Sequence, residues 1–184
     1  MDRLATLISR LFGWALIFLS AFIALETVLR KVFNTSLQGA DELGGYVLAI
    51  GASLAFIVAM IDRAHIRIDV LHARMSVKLQ ALIDWLSVIS LALMGLFFLY
   101  VGWFVITDTL EYRSTAATPW RTPLIWPQSA WYAGLVIFAL CSFVSAGRAT
   151  RLFMQGQYTR LAEEFNPKSA EDDLSEELEN LQER

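Results

Sequence analysis

The chain has 184 residues, 56% of them hydrophobic, with a mean hydropathy of +0.49. A soluble domain carries roughly 45–50% apolar residues, and here the excess is gathered into long runs, which points away from an ordinary soluble fold and towards a membrane protein. Its single cysteine, Cys141, excludes an internal disulfide, a paired-cysteine redox motif and a cysteine-rich metal centre, and is read as a buried inert thiol. The net charge of −3 conceals an asymmetry. Residues 1–155 hold 12 Lys/Arg against 9 Asp/Glu, whereas residues 156–184 hold 3 against 9. No basic patch is large enough to suggest nucleic acid as a partner.

Four runs are long enough to cross a bilayer, at about 11–33, 43–61, 85–107 and 130–152. Hydrocarbon offers no hydrogen-bond partners to the backbone, so each run is expected to be helical. The fold class that follows is an all-α integral membrane protein. Residues 1–155 form its four-helix transmembrane domain, in contact with membrane lipids, and residues 156–184 an acidic tail. The first run follows Arg3 and Arg10, as a signal peptide would, but continues to Leu25 without a clear cleavage site, and is read as a retained helix.

Glu26 near the end of that run is a candidate for proton coupling, because a carboxylate at membrane depth is costly. Arg30 stands one turn later, in the favourable order for an ion pair, and structural pairing is the preferred reading. Asp41 and Glu42 open the second run, where acids complement the helix dipole. That accounts for one of them, and the other is a candidate contact for a neighbouring subunit. Gly51, Ala55 and Ala59 recur every four residues. Such a stripe serves either a docking face or internal packing. Ser142 and Ala146 repeat it less clearly in the fourth run.

The loop Asp62-Arg63-Ala64-His65-Ile66-Arg67-Ile68-Asp69-Val70 is basic and apolar, which suits a segment at the cytoplasmic interface. It and the stretch just after it hold the only histidines, His65 and His72. With no histidine in a span, axial ligation of heme is not expected. His65, Asp69 and His72 make a poor zinc set. No cofactor or metal is expected, and neither a phosphate-binding loop nor a hydrolase motif is present. All four prolines lie outside the expected spans, which offers no broken helices of the kind that form transport sites.

Trp85 and Trp103 bracket the third run, 18 residues or about 27 Å apart. Trp120, Trp126, Trp131 and Tyr132 cluster before the fourth, as an interfacial belt would. Nine Lys/Arg flank the spans on one side (Arg3, Arg10, Arg63, Arg67, Arg74, Lys78, Arg148, Arg151, Arg160), against Arg30, Lys31, Arg113 and Arg121 on the other. The positive-inside rule then puts both termini in the cytoplasm. In the tail, Leu174, Leu178 and Leu181 share a helical face. A solvated tail is nonetheless favoured over a docking helix.

Arg30-Lys31-Val32-Phe33-Asn34, Asp41-Glu42-Leu43, Gly51 and Arg63-Ala64-His65-Ile66-Arg67-Ile68-Asp69-Val70-Leu71 together resemble the small membrane subunit of the tripartite ATP-independent periplasmic (TRAP) transporters, the DctQ-like permease. Glu111-Tyr112-Arg113-Ser114 with Pro119, Pro123 and Trp126 is similar to that family's loop before its last helix. The likeness runs over about residues 10–150. The resemblance implies a scaffold without enzymatic activity in a bacterial inner membrane. Its partners would be a large TRAP permease subunit and a periplasmic solute-binding protein. Together they would drive uptake of an organic acid or similar solute with an ion gradient, usually sodium. Glu26, Arg30, Asp41, Glu42, Arg63, His65, Asp69 and Glu111 are the candidate contact or structural residues. The competing expectation is a self-sufficient proton-coupled multidrug exporter using Glu26.

Overall fold

The structure is a computed structural model that describes residues 2–61 and 75–165. Among these its regular elements are all helices, with one isolated β-bridge in a connection. The helices are α1 (Asp2–Val32), α2 (Ala40–Ile61), α3 (Val77–Tyr112), α4 (Ile125–Met154) and the short α5 (Tyr158–Phe165). The first four are long and apolar enough to cross a membrane. Each expected run falls on one of them.

The helices outlast the runs because their ends are held by local chemistry that hydropathy does not register. Ser76, a residue type favoured at helix starts, accepts the first backbone bonds of α3, from Leu79 at 2.9 Å and Gln80 at 3.0 Å. At the other end of α3, Arg113 takes a left-handed φ of 48°, and the Ser114 amide returns to the Thr109 carbonyl at 3.1 Å. The end of α4 closes in the same way, through Gly156 at φ 68° and the Gln157 amide on Leu152 at 3.1 Å. Both are Schellman closures, which satisfy carbonyls that the helix leaves open. Pro127 lies in the first turn of α4, inside the helix although outside the expected run. There its missing N–H is not needed.

Hydroxyls within the helices are satisfied by the carbonyls of the preceding turn. Thr27 donates to Ile23 at 2.8 Å, Ser90 to Leu86 at 2.8 Å and Thr107 to Trp103 at 3.0 Å. This lets polar residues sit on apolar helices at little cost.

The chain divides into two compact units. The first comprises Met1–Val58 and Met94–Leu140. Its buried apolar residues are Ile57, Leu135, Phe138 and Ala139, and the Phe56 ring lies 5.5 Å from Phe98 and 5.6 Å from Phe138. Close helix approaches depend on glycine. A Cβ at Gly134 would overlap Ser53, one at Gly51 would overlap the Phe12 ring, and one at Gly95 would stand 3.1 Å from the Ala139 backbone. The second unit comprises Ala59–Leu93 and Cys141–Arg184. Its core is Val88, Ala92, Ala146 and Ala149, with Trp85, Ile89 and Phe165 packed against it. Trp85 stacks on Phe153 at 5.3 Å and donates its indole N–H to Thr150 at 3.0 Å. Residues 158–165, read from sequence as the start of the polar tail, are instead helical, and α5 buries Leu161 completely.

Large side chains stay exposed along α1 and α3, among them Leu11, Phe18, Leu93 and Phe97. Only 6% of the most apolar stretch of α1 is buried. A water-soluble monomer does not tolerate contiguous apolar surface on this scale, whereas lipid chains cover it without penalty.

Candidate functional site

The first unit holds two buried carboxylates, Glu26 and Glu42, each only 6% exposed. A carboxylate withdrawn from water must be met by donors, and both are. Glu26 lies six residues before the end of α1. Its Oε1 accepts from the Ser36 hydroxyl at 2.5 Å and its Oε2 from the Leu37 amide at 2.7 Å. The Gln38 amide donates in turn to Ser36 Oγ at 3.1 Å. Left-handed turns at Asn34 (φ 51°) and Gln38 (φ 59°) fold the α1–α2 connection back within reach. Asparagine adopts that conformation more readily than most residues.

Among the described residues, Glu26 makes no direct ion pair with Arg30, whose charge acts on the carboxylate from a greater distance. Both carboxylate oxygens are taken by the loop that follows α1.

Glu42 occupies the first turn of α2. Its Oε1 accepts from the Tyr46 hydroxyl, one turn on, at 2.9 Å. Its Oε2 accepts from the Thr118 hydroxyl. Thr118 lies in the α3–α4 connection, where the Ala116 amide bonds the Thr122 carbonyl at 2.9 Å and the Leu124 amide bonds Ser114 at 3.0 Å. The Arg121 amide bonds Thr118 at 3.0 Å and closes a turn with Pro119 at its second position, where the fixed φ of proline is favoured. That turn lays the Trp120 ring against Gly39, where any Cβ would overlap the indole. Glycine is thus required just before α2, and Glu42 and Gly39 together fasten the connection onto the start of that helix.

Asp41, beside Glu42, is exposed, as is Glu111 in the last turn of α3. Of the two acids that open α2, Glu42 is the one bonded to a later part of the chain. Arg63, His65, Asp69 and His72 lie outside the described residues. Among the described residues no group of three or more His, Cys, Asp or Glu is arranged to hold a metal. Burial varies along the small-residue stripe of α2. Gly51 is buried, Ala55 is exposed and Ala59 is half-buried. The aromatic cluster also divides. Trp120 and Trp126 are exposed, while Trp131 and Tyr132 are half-buried and pack by Gly102, a Cβ on which would meet Tyr132 at 2.7 Å.

Sequence reasoning passed over three roles in this site and one buried carboxylate of the second unit. Tyr46 was within reach of a pattern argument, since it stands one turn from Glu42. Thr118 and Trp120 carry no local mark of their role. Asp84, completely buried in α3, falls one residue before the expected start of the third span and escaped notice there. Chemically, the carboxylates of the first unit fasten connections. They are saturated by hydroxyl and amide donors rather than set beside a nucleophile.

One family model, described as "Tripartite ATP-independent periplasmic transporters, DctQ component", matches residues 17–152. No curated protein and no solved structure matches the chain.

Proposed function

Since the chain belongs to the DctQ family, and is thus a small permease component of a tripartite ATP-independent periplasmic transporter and a multi-pass membrane protein, we propose that it acts as a scaffold. In this reading it braces a large, many-helix permease subunit in the bacterial inner membrane and helps a periplasmic binding protein to dock. The complex takes up an organic acid or similar solute, driven by an ion gradient with sodium as the coupling ion. Both termini face the cytoplasm, following the nine-to-four bias of Lys/Arg flanking the spans. The connections fastened by Glu26 and Glu42 then lie on the periplasmic side.

The observation that carries the reading is the extent of the family match, which reaches all four long helices. The hydrogen bonding of Glu26 and Glu42 supports it, because carboxylates engaged in holding loops suit a brace better than a solute path. The family is one of transporter components rather than enzymes.

The test is assembly. The tagged chain is expected to copurify with a much larger membrane protein, and Glu42→Lys or Asp69→Lys to weaken that association and solute uptake while leaving membrane insertion intact. Normal assembly and uptake with both changes present would show that neither residue supports assembly. Solute flux through the chain reconstituted alone in liposomes would overturn the scaffold role.

A further inference from the structure

The exposed surface of α3 carries a polar atom that acyl chains cannot serve. Tyr100 is 64% exposed, with its ring edge-on to Phe104 at 4.9 Å. Its hydroxyl has no hydrogen-bond partner among the described residues. The tyrosines of α2 and α4 are placed otherwise. Tyr46 donates to Glu42 at 2.9 Å, and Tyr132 to the Leu99 carbonyl at 3.3 Å. Tyr100 cannot turn back on its own helix as Ser90 and Thr107 do, because the ring holds the hydroxyl away from the backbone.

The hydroxyl also lies deep. Asp108 is exposed on the same helix and must meet water or headgroups. Tyr100 stands eight residues, or about 12 Å of helix, further in. Helical side chains slant towards the amino-terminal end, so the phenol of Tyr100 reaches away from Asp108 and deeper still. The next exposed charge in that direction is Lys78, 22 residues or about 33 Å away. Half of a hydrocarbon core is about 15 Å, which puts the hydroxyl near its middle.

Leu96, Phe97, Trp103 and Phe104 surround Tyr100 at helical spacings of three and four, each 49–58% exposed. Lipid and protein cover such apolar groups equally well, so they do not identify what lies on them. The hydroxyl does. Neither acyl chains nor water supply an acceptor at that depth, and a phenol left without one there is costly.

We propose that this face receives a transmembrane helix of the large permease subunit, one that presents a hydrogen-bond acceptor to Tyr100 near the middle of the membrane. The identity of the partner rests on the scaffold reading, whereas the need for an acceptor does not. A membrane helix supplies one through a polar side chain or through a carbonyl freed where the helix is broken. Phe97 and Phe104 flank the bond, and Tyr100 fixes the depth at which the two helices meet.

The test uses the transporter purified from its own membranes through a tag on this chain. A photoreactive benzophenone side chain in place of Leu96, one turn from Tyr100, is expected to crosslink to the large subunit on illumination. Tyr100→Phe keeps the ring and removes the hydroxyl. It is expected to speed dissociation of the complex about three-fold, the usual worth of one hydrogen bond between membrane helices. The melting temperature of the chain alone in detergent stays unchanged, since the hydroxyl bonds nothing within it. Labelling of lipid alone, or of a second copy, in a complex that holds together overturns the proposal and leaves the scaffold reading standing. A Tyr100→Phe complex as long-lived as the parental one does the same. A lower melting temperature of the Tyr100→Phe chain alone assigns the hydroxyl to this chain's own fold and also overturns it. Failure of any large membrane protein to copurify with the parental chain removes the scaffold reading and this proposal together.

Discussion

The two units are held by different means. The first relies on buried carboxylates, Glu26 and Glu42, that reach out of helices to secure connections, and on glycines that let helices touch. The second relies on alanines and a valine packed under Trp85, with one fully buried carboxylate, Asp84, on the same helix. The contrast is one of directionality. Hydrogen bonds to a carboxylate fix a loop in one place, whereas small-residue packing sets how closely helices approach and leaves the loops unspecified.

Four substitutions sharpen or break this comparison, from the largest expected effect to the smallest. Gly134→Val drives side-chain atoms into Ser53 and is expected to cost about 3 kcal/mol, the upper range for overpacking. Thermal unfolding in detergent reads the loss, and Ser53→Gly in the same chain recovers much of it. Absence of recovery would show that the Ser53–Gly134 approach is not what fails. Glu42→Ala frees the α3–α4 connection without separating helices. Amides of residues 116–124 are expected to exchange about ten-fold faster while those of α2 beyond Tyr46 hold their rate. A uniform rise would mean that Glu42 supports the whole unit. In the second unit, Trp85→Phe keeps the stacking on Phe153 but loses the bond to Thr150, worth about 1 kcal/mol. A larger fall in melting temperature would place directional bonding at the centre of this unit as well. Arg148→Ala removes an ion pair to Glu164 at 3.4 Å whose side chains are 65% and 42% exposed, and is expected to cost no more than about 0.5 kcal/mol.

A fifth change bears on transport. Glu26→Gln keeps an acceptor for the Ser36 hydroxyl and removes the charge, and uptake by the assembled system is expected to persist near the parental rate. Uptake abolished with assembly intact would restore proton coupling at that residue.

The four long helices were legible because an apolar run of about 20 residues has one way to satisfy its backbone in lipid. Their ends were not, because Ser76, Arg113 and Gly156 act through hydrogen bonds a few residues long that leave mean hydropathy unchanged. α5 was missed for a related reason. Eight residues with two adjacent glutamates read as solvated, and only the core beneath Leu161 makes them a helix. Glu26 and Glu42 stood out as costly charges, but their partners did not. Arg30 was the obvious candidate by spacing, yet the α1–α2 loop returns Ser36 and Leu37 to Glu26 and takes its place. Thr118 was beyond any local pattern, because a hydroxyl 76 positions away carries no mark in the sequence of where the chain will bring it.

That same separation sets an order of events during synthesis. Glu42 leaves the ribosome long before Thr118, and by the time its second partner exists all of α3 has been made. Until then, of these two hydroxyls, the carboxylate has Tyr46 alone, and water fills the place that Thr118 later takes. The start of α2 is therefore expected to reach its full protection from hydrogen exchange only in chains long enough to include residue 118.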